Sequence, residues 1–190
     1  EDSLEPQYVY IEDEFTHIEV NKVDIETKDN LAGATLALYP ILDNGEVDYG
    51  ACFETWLTTD KTHTIDRIPV GKYLLMELST IDGYTVAKPM IIEVKDTAET
   101  QTFELSNDFH KIEISKTNLH TNEYVEGATL AIVPVEDGEI QYGETYETWM
   151  TTDKAHRIDR IPEGEYAIVE LSTPANSGYL KAEPEYITGK

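Results

Sequence analysis

FETWLTTDKTHTIDRIPVGKY, residues 53–73, returns nearly unchanged at 146–166 as YETWMTTDKAHRIDRIPEGEY. Fifteen of these 21 positions are identical. Self-similarity on that scale means one structural unit built twice. The match spreads outward on both sides. Upstream, IEVNKVDIETKDNLAGATLALYP (18–40) pairs with IEISKTNLHTNEYVEGATLAIVP (112–134). Downstream, MELSTIDGY (76–84) pairs with VELSTPANSGY (169–179) across a two-residue insertion, and YTVAKPMIIEV (84–94) pairs more weakly with YLKAEPEYITG (179–189). The 190 residues therefore divide into two small domains.

Each copy reads as strands. His17-Ile18-Glu19-Val20-Asn21-Lys22-Val23 alternates apolar and polar positions, as a half-buried strand does. Residues 34–39 (ATLALY) and 73–78 (YLLMEL) are short runs rich in strand formers. Asp43-Asn44-Gly45, Val70-Gly71 and Asp82-Gly83 punctuate them as turns. No long stripe of 3.6-residue period is present. About seven short strands per copy, with turns every ~8–12 residues, predict an all-β chain of two tandem Ig-like sandwiches.

The frame of the repeat is shifted against the chain. QYVYIEDEFTHIEVNKVD (7–24) resembles TQTFELSNDFHKIEISKTN (100–118), which aligns Asp13 with Asn107. Residues 1–13 thus read as a strand like the last one of a preceding repeat. Residues 14–108 form a first sandwich. Residues 109–190 form a second that lacks a counterpart of Thr102–Asn107.

Composition narrows the function. The formal net charge is −24, from 38 acidic and 14 basic residues. That balance speaks against nucleic-acid binding, which needs a cationic footprint, and against docking on anionic lipid. No run of 18 apolar residues is present to insert in a membrane as a helix. The single cysteine, Cys52, has Thr145 at its equivalent position and reads as a small packing residue. No P-loop, nucleophile elbow, dinucleotide fingerprint or zinc cluster appears, and Asp43-Asn44-Gly45-Glu46 lacks the spacing of a calcium loop. No cofactor, metal or enzymatic turnover is expected. His63 and His156 read as packing or hydrogen-bonding residues at strand ends, Trp56 and Trp149 as core anchors, and Asp60 and Asp153 as makers of turn hydrogen bonds.

The combination I-E-x-x-K, G-A-T-L, T-T-D…I-x-x-I-P-x-G-x-Y and E-L-S-T…G-Y carries a resemblance. Each copy resembles a Cna-B-type (SpaA-like) domain of Gram-positive surface adhesins and pilins, over nearly the whole chain. The resemblance implies a prealbumin-like β-sandwich, an extracellular place on the cell wall or pilus, and a structural role as a stalk or fibre segment. It also implies an isopeptide bond between a first-strand lysine and a last-strand asparagine, promoted by a buried acid. In copy one these map to Lys22, Asn107 and Glu77. Copy two has Lys116 and Glu170 but no asparagine partner within the sequence. An adhesin module that binds a host protein or glycan through its loops is the alternative. Short loops, alike in the two copies, favour the spacer.

Residue chemistry supports the trio independently. Counting by two from Ile18 puts Val20 and Lys22 on one face. Lys116 follows Ile112 and Ile114 in the same way, and Glu77 and Glu170 follow Leu75 and Ile168. Burial pushes a lysine pKa down and a glutamic acid pKa up. A neutral amine is a nucleophile and a protonated acid polarises a carbonyl. Periodicity alone fits a plain buried Lys–Glu ion pair, or an outward-facing register, at least as well. The shifted frame adds one more expectation. Either the chain is a piece of a longer repeat array cut out of phase with its domains, or residues 7–13 of one molecule complete copy two of the next by strand exchange, with Asp13 placed to bond Lys116. Expected partners are thus other copies of this chain or adjacent repeats of a longer surface protein.

Overall fold

The computed structural model describes residues 6–189. Residues 1–5 of the leading segment 1–13, and the final Lys190, lie outside the described residues. Two compact units result, with the boundary between Ser106 and Asn107 and with the loop Thr80–Val86 assigned to the second. Within that second unit Tyr84 meets Phe109 edge-on at 6.2 Å. Gly83 has a φ of 85°, and a side chain there would collide with the Arg160 carbonyl.

Among the described residues the first unit carries seven strands: β1 (His17–Asp24), β2 (Thr35–Pro40), β3 (Glu54–Leu57), β4 (His63–Asp66), β5 (Gly71–Ser79), β6 (Met90–Val94) and β7 (Thr100–Asn107), the last of which ends one residue past the boundary. They form two sheets, in the orders β4-β1-β7 and β3-β2-β5-β6. β1 and β4 run antiparallel, with Ile18 opposite Ile65. β2 lies between β3 and β5, with a register shift against β5 between Thr35 and Leu36, and Leu36 faces Trp56 on one side and Glu77 on the other. Alternation does the rest. Ile18, Val20, Leu36, Leu38, Leu75, Ile92 and Leu105 all point between the sheets, at most 3% exposed. Each such side chain contributes roughly 1.5–3 kcal/mol by leaving water.

The second unit repeats the plan with β8 (Lys111–Ile114), β9 (Thr129–Glu136), β10 (Glu139–Ile140), β11 (Glu147–Met150), β12 (His156–Asp159), β13 (Gly164–Ser172) and β14 (Glu185–Gly189). One sheet is β12-β8 and the other β10-β9-β13-β14, with β11 also on β9. The extra short strand β10 comes from Asp137-Gly138. Both residues take positive φ, 51° and 81°, the pair of conformations that a tight two-residue hairpin needs.

The repeated T-W…H stretch has a common internal reason. In each unit the tryptophan is buried and its indole stacks on the histidine ring, with centroids 4.4 Å apart for Trp56–His63 and Trp149–His156. His63 Nε2 also bonds Glu54 Oε1 at 2.7 Å, and His156 Nε2 bonds Glu147 Oε1 at 2.6 Å. Two sequence expectations change. Cys52 is exposed rather than packed; it sits in the loop before β3 with its thiol 3.4 Å from the Glu54 carbonyl oxygen. The turns after β3 and β11 are held by threonines, not aspartates: Thr59 Oγ1 accepts from Lys61 N (3.2 Å) and Thr152 Oγ1 from Lys154 N (3.3 Å).

Candidate functional site

Lys22 stands on β1 behind Ile18 and Val20, and the alternation that buries those two buries it as well, to 3% exposure. Glu77, on β5 of the opposing sheet, is 2% exposed. The Lys22 ammonium lies 3.6 Å from Glu77 Oε1. The other oxygen, Oε2, accepts the Ala87 amide at 2.5 Å, which fixes the carboxyl plane. Lys22 Nζ also donates to the Leu105 carbonyl on β7 at 3.3 Å. Two residues further along that strand, on the same face, Asn107 is fully buried, and its Nδ2 donates to Thr80 Oγ1 at 2.9 Å. Burial is the main influence on Lys22 and lowers its pKa from 10.5 to about 8, against the opposing pull of Glu77. An ammonium inside an apolar sandwich has lost its hydration, and one carboxylate only partly replaces it.

The second unit assembles the equivalent pair in a more open setting. Lys116 Nζ donates to Glu170 Oε2 at 3.1 Å, and the same oxygen accepts the Ala182 amide at 2.6 Å. Glu170 is as buried as Glu77, but the Lys116 side chain is 20% exposed where that of Lys22 is 1% exposed. Among the described residues the buried Glu170 Oε1 has no hydrogen-bond partner. Asp13 is exposed and lies outside any strand, as do the other described residues ahead of β1.

The model of a prealbumin-like fold domain, SpaA, matches residues 16–108 and again 110–188. This chain belongs to the SpaA prealbumin-like fold family. No curated protein matches it in sequence. Among solved structures, a streptococcal ancillary pilin is similar at 19% identity and TM-score 0.46, over 98% of this chain and 62% of that one. The Bacillus anthracis TIE protein is similar at 23% identity and TM-score 0.50, over 93% of this chain and 31% of that one. The shaft pilin SpaA from Lactobacillus rhamnosus GG is similar at 15% identity and TM-score 0.45, over 92% and 93%. The chain thus spans less than two thirds of the first two. At these identities the likeness concerns the fold.

Within this SpaA-type fold the groups that sequence reasoning missed are Thr80, Ala87 and Ala182. Thr80 belongs to the repeated E-L-S-T, whose second member is Thr173, so the repeat itself was the available signal. The two alanines act through backbone amides, which no side-chain pattern announces. They share the A-x-P spacing ahead of β6 and β14.

Proposed function

We propose that the chain is a structural stalk or fibre segment of a bacterial cell-surface protein or pilus, with its first domain locked by an amide bond between Lys22 and Asn107. The observation that carries this is the buried Lys22–Glu77 pair, with the amine already on the β7 backbone two residues from Asn107. Family membership supports the same chemistry. The similar structures include pilins, which supports an extracellular, load-transmitting role among copies or adjacent repeats of a surface protein.

The reaction needs no cofactor. With a pKa near 8, Lys22 reaches its neutral, nucleophilic form close to physiological pH. Its Nζ adds to Cγ of Asn107 while Glu77, as the acid, hydrogen-bonds the amide oxygen. Glu77 then carries a proton from the adding amine to Nδ2. The Cγ–Nδ2 bond breaks and ammonia leaves. The event occurs once per molecule, so Glu77 serves maturation rather than turnover.

Intact mass tests it. The wild-type chain should be lighter than its sequence by one ammonia, and tryptic mapping should find Lys22 joined to Asn107. Lys22→Ala and Glu77→Ala chains should show the full mass of their sequences. A wild-type chain of full mass sinks the proposal.

A further inference from the structure

Asn107 is fully buried, and its Nδ2 donates to Thr80 Oγ1 at 2.9 Å. Asn107 and the loop Thr80–Val86 both belong to the second unit. That unit also holds the loop in place. Thr85 N donates to the Asp108 carbonyl and His110 N to the Gly83 carbonyl, both at 2.9 Å. The loop and residues 108–110 thus form a short antiparallel bridge centred on Tyr84 and Phe109.

Arg160, which follows β12, closes over that bridge. Its backbone N donates to the His110 carbonyl at 2.8 Å, and its Nε donates to Tyr84 Oη at 3.1 Å. Its Cζ lies 4.0 Å from the centre of the Phe109 ring, a cation–π contact. Gly83 comes so near that a Cβ there would sit 2.4 Å from the Arg160 carbonyl oxygen. Arg160 itself has a φ of 60°, a backbone state that a residue with a side chain keeps only where its surroundings fix it. The bridge, the ring contacts and Arg160 close the loop without the Thr80 hydroxyl. That hydroxyl is turned instead to the Asn107 amide.

We infer that Thr80 is a positioning residue for the Lys22–Asn107 bond, holding the Asn107 amide for the incoming amine, and that Arg160 acts behind it by seating the loop that carries it. The inference rests on the reading of that bond and assigns it two further residues. An asparagine side chain turns about two torsions, whereas addition needs the reacting atoms about 3–3.5 Å apart, and a 1 Å misplacement can cost ~100-fold in rate. A hydrogen bond from Nδ2 to a fixed hydroxyl removes that freedom. The N–H lies in the amide plane and the amine adds to Cγ from a face of that plane, so the tether does not block the reaction. Without its acceptor the buried Nδ2 would turn to find another, and would take Cγ with it.

The test follows ammonia loss in time. The full chain is made by cell-free synthesis, quenched in acid at intervals and weighed intact. Thr80→Val keeps the shape and removes the acceptor; it should slow the loss by about 10-fold or more. Thr80→Ser keeps the acceptor and should restore the wild-type rate. A packing role would give the reverse order, since valine fills the site and serine leaves the space of a methyl empty. Arg160→Met should also slow the loss. Tyr84→Phe, which removes only the oxygen that Arg160 Nε holds, should do so with the fold kept. A wild-type chain that never loses ammonia overturns the bond and this inference with it. A wild-type chain that loses ammonia while Thr80→Val keeps pace, or a Thr80→Ser chain slower than Thr80→Val, overturns the inference alone. Wild-type rates in both Arg160→Met and Tyr84→Phe, beside a slow Thr80→Val, overturn the part given to Arg160 and uphold that of Thr80.

Discussion

Lys22 shows what burial does to one side chain. Its ordinary pKa of 10.5 falls to about 8 because the sandwich removes water from the ammonium faster than Glu77 replaces it. The consequence for stability has a definite sign. In an Asn107→Ala chain, where Lys22 stays a free amine, the unfolded state holds a proton on Lys22 that the folded state has released between pH 8 and 10.5. Stability rises with pH wherever the unfolded state binds more protons. The first unit of Asn107→Ala should therefore melt at a higher temperature at pH 9.5 than at pH 7.5. Lys22→Met in the same background should flatten that rise. Thermal melts of both chains at the two pH values check it; equal slopes would mean that Lys22 is not the titrating group. His63 and His156 are each held by a tryptophan face and a glutamate oxygen in the same geometry, which gives their repetition a packing reason.

Strands in the two units carry the same apolar positions, yet their burial depends on the neighbour. Ile92 on β6 is 1% exposed, and its counterpart Ile187 on β14 is half-buried. Truncating a buried isoleucine costs about 2–5 kcal/mol, and less where the side chain already meets water. Ile92→Ala should therefore lower the denaturant midpoint of the first unit clearly more than Ile187→Ala lowers that of the second. Equal losses would show that Ile187 is as well buried in solution as Ile92. The comparison also marks how far the sequence could be read. The alternation in β1 and β5 put Lys22 and Glu77 on the apolar faces of their strands, because period two is a property of the strand itself, but it left an outward-facing register equally open. Pairing the two across 3.6 Å needed the opposing sheet, which spacing does not contain. The exposure of Cys52 was illegible because its loop has no period. The threonine-held turns escaped because aspartate and threonine compete for the same backbone amides. The short hairpin strand β10 did have a signal, Asp137-Gly138, the counterpart of Asn44-Gly45 in the first copy.

For the molecule as a whole, the proposed bond changes the path of a pulling force. Chain entering through β1 and leaving through β7 would pass load directly from Lys22 to Asn107. The 84 residues between them, 23–106, would be bypassed. Closing a loop of that length lowers unfolded-state entropy by roughly 4–5 kcal/mol, by analogy with a disulfide. For a domain of this size that corresponds to a melting shift on the order of 15 °C or more. The mechanical effect is larger, since a covalent bond replaces a hydrogen-bonded ladder as the element that must yield. A single chain held at both ends should show one unfolding event, that of the second unit, while the first gives no extension between Lys22 and Asn107. Lys22→Ala should add a second event, with roughly 290 Å of extra contour from those positions at ~3.4 Å per residue. Asn107→Ala should add the same length. The equality matters, because a packing defect at either site would weaken the fold without fixing how much chain is hidden. Only a link between these two residues hides the same stretch from both directions. Equal contour lengths in wild type and Lys22→Ala would show that load runs through the strands, and would leave the first unit a hydrogen-bonded sandwich like the second.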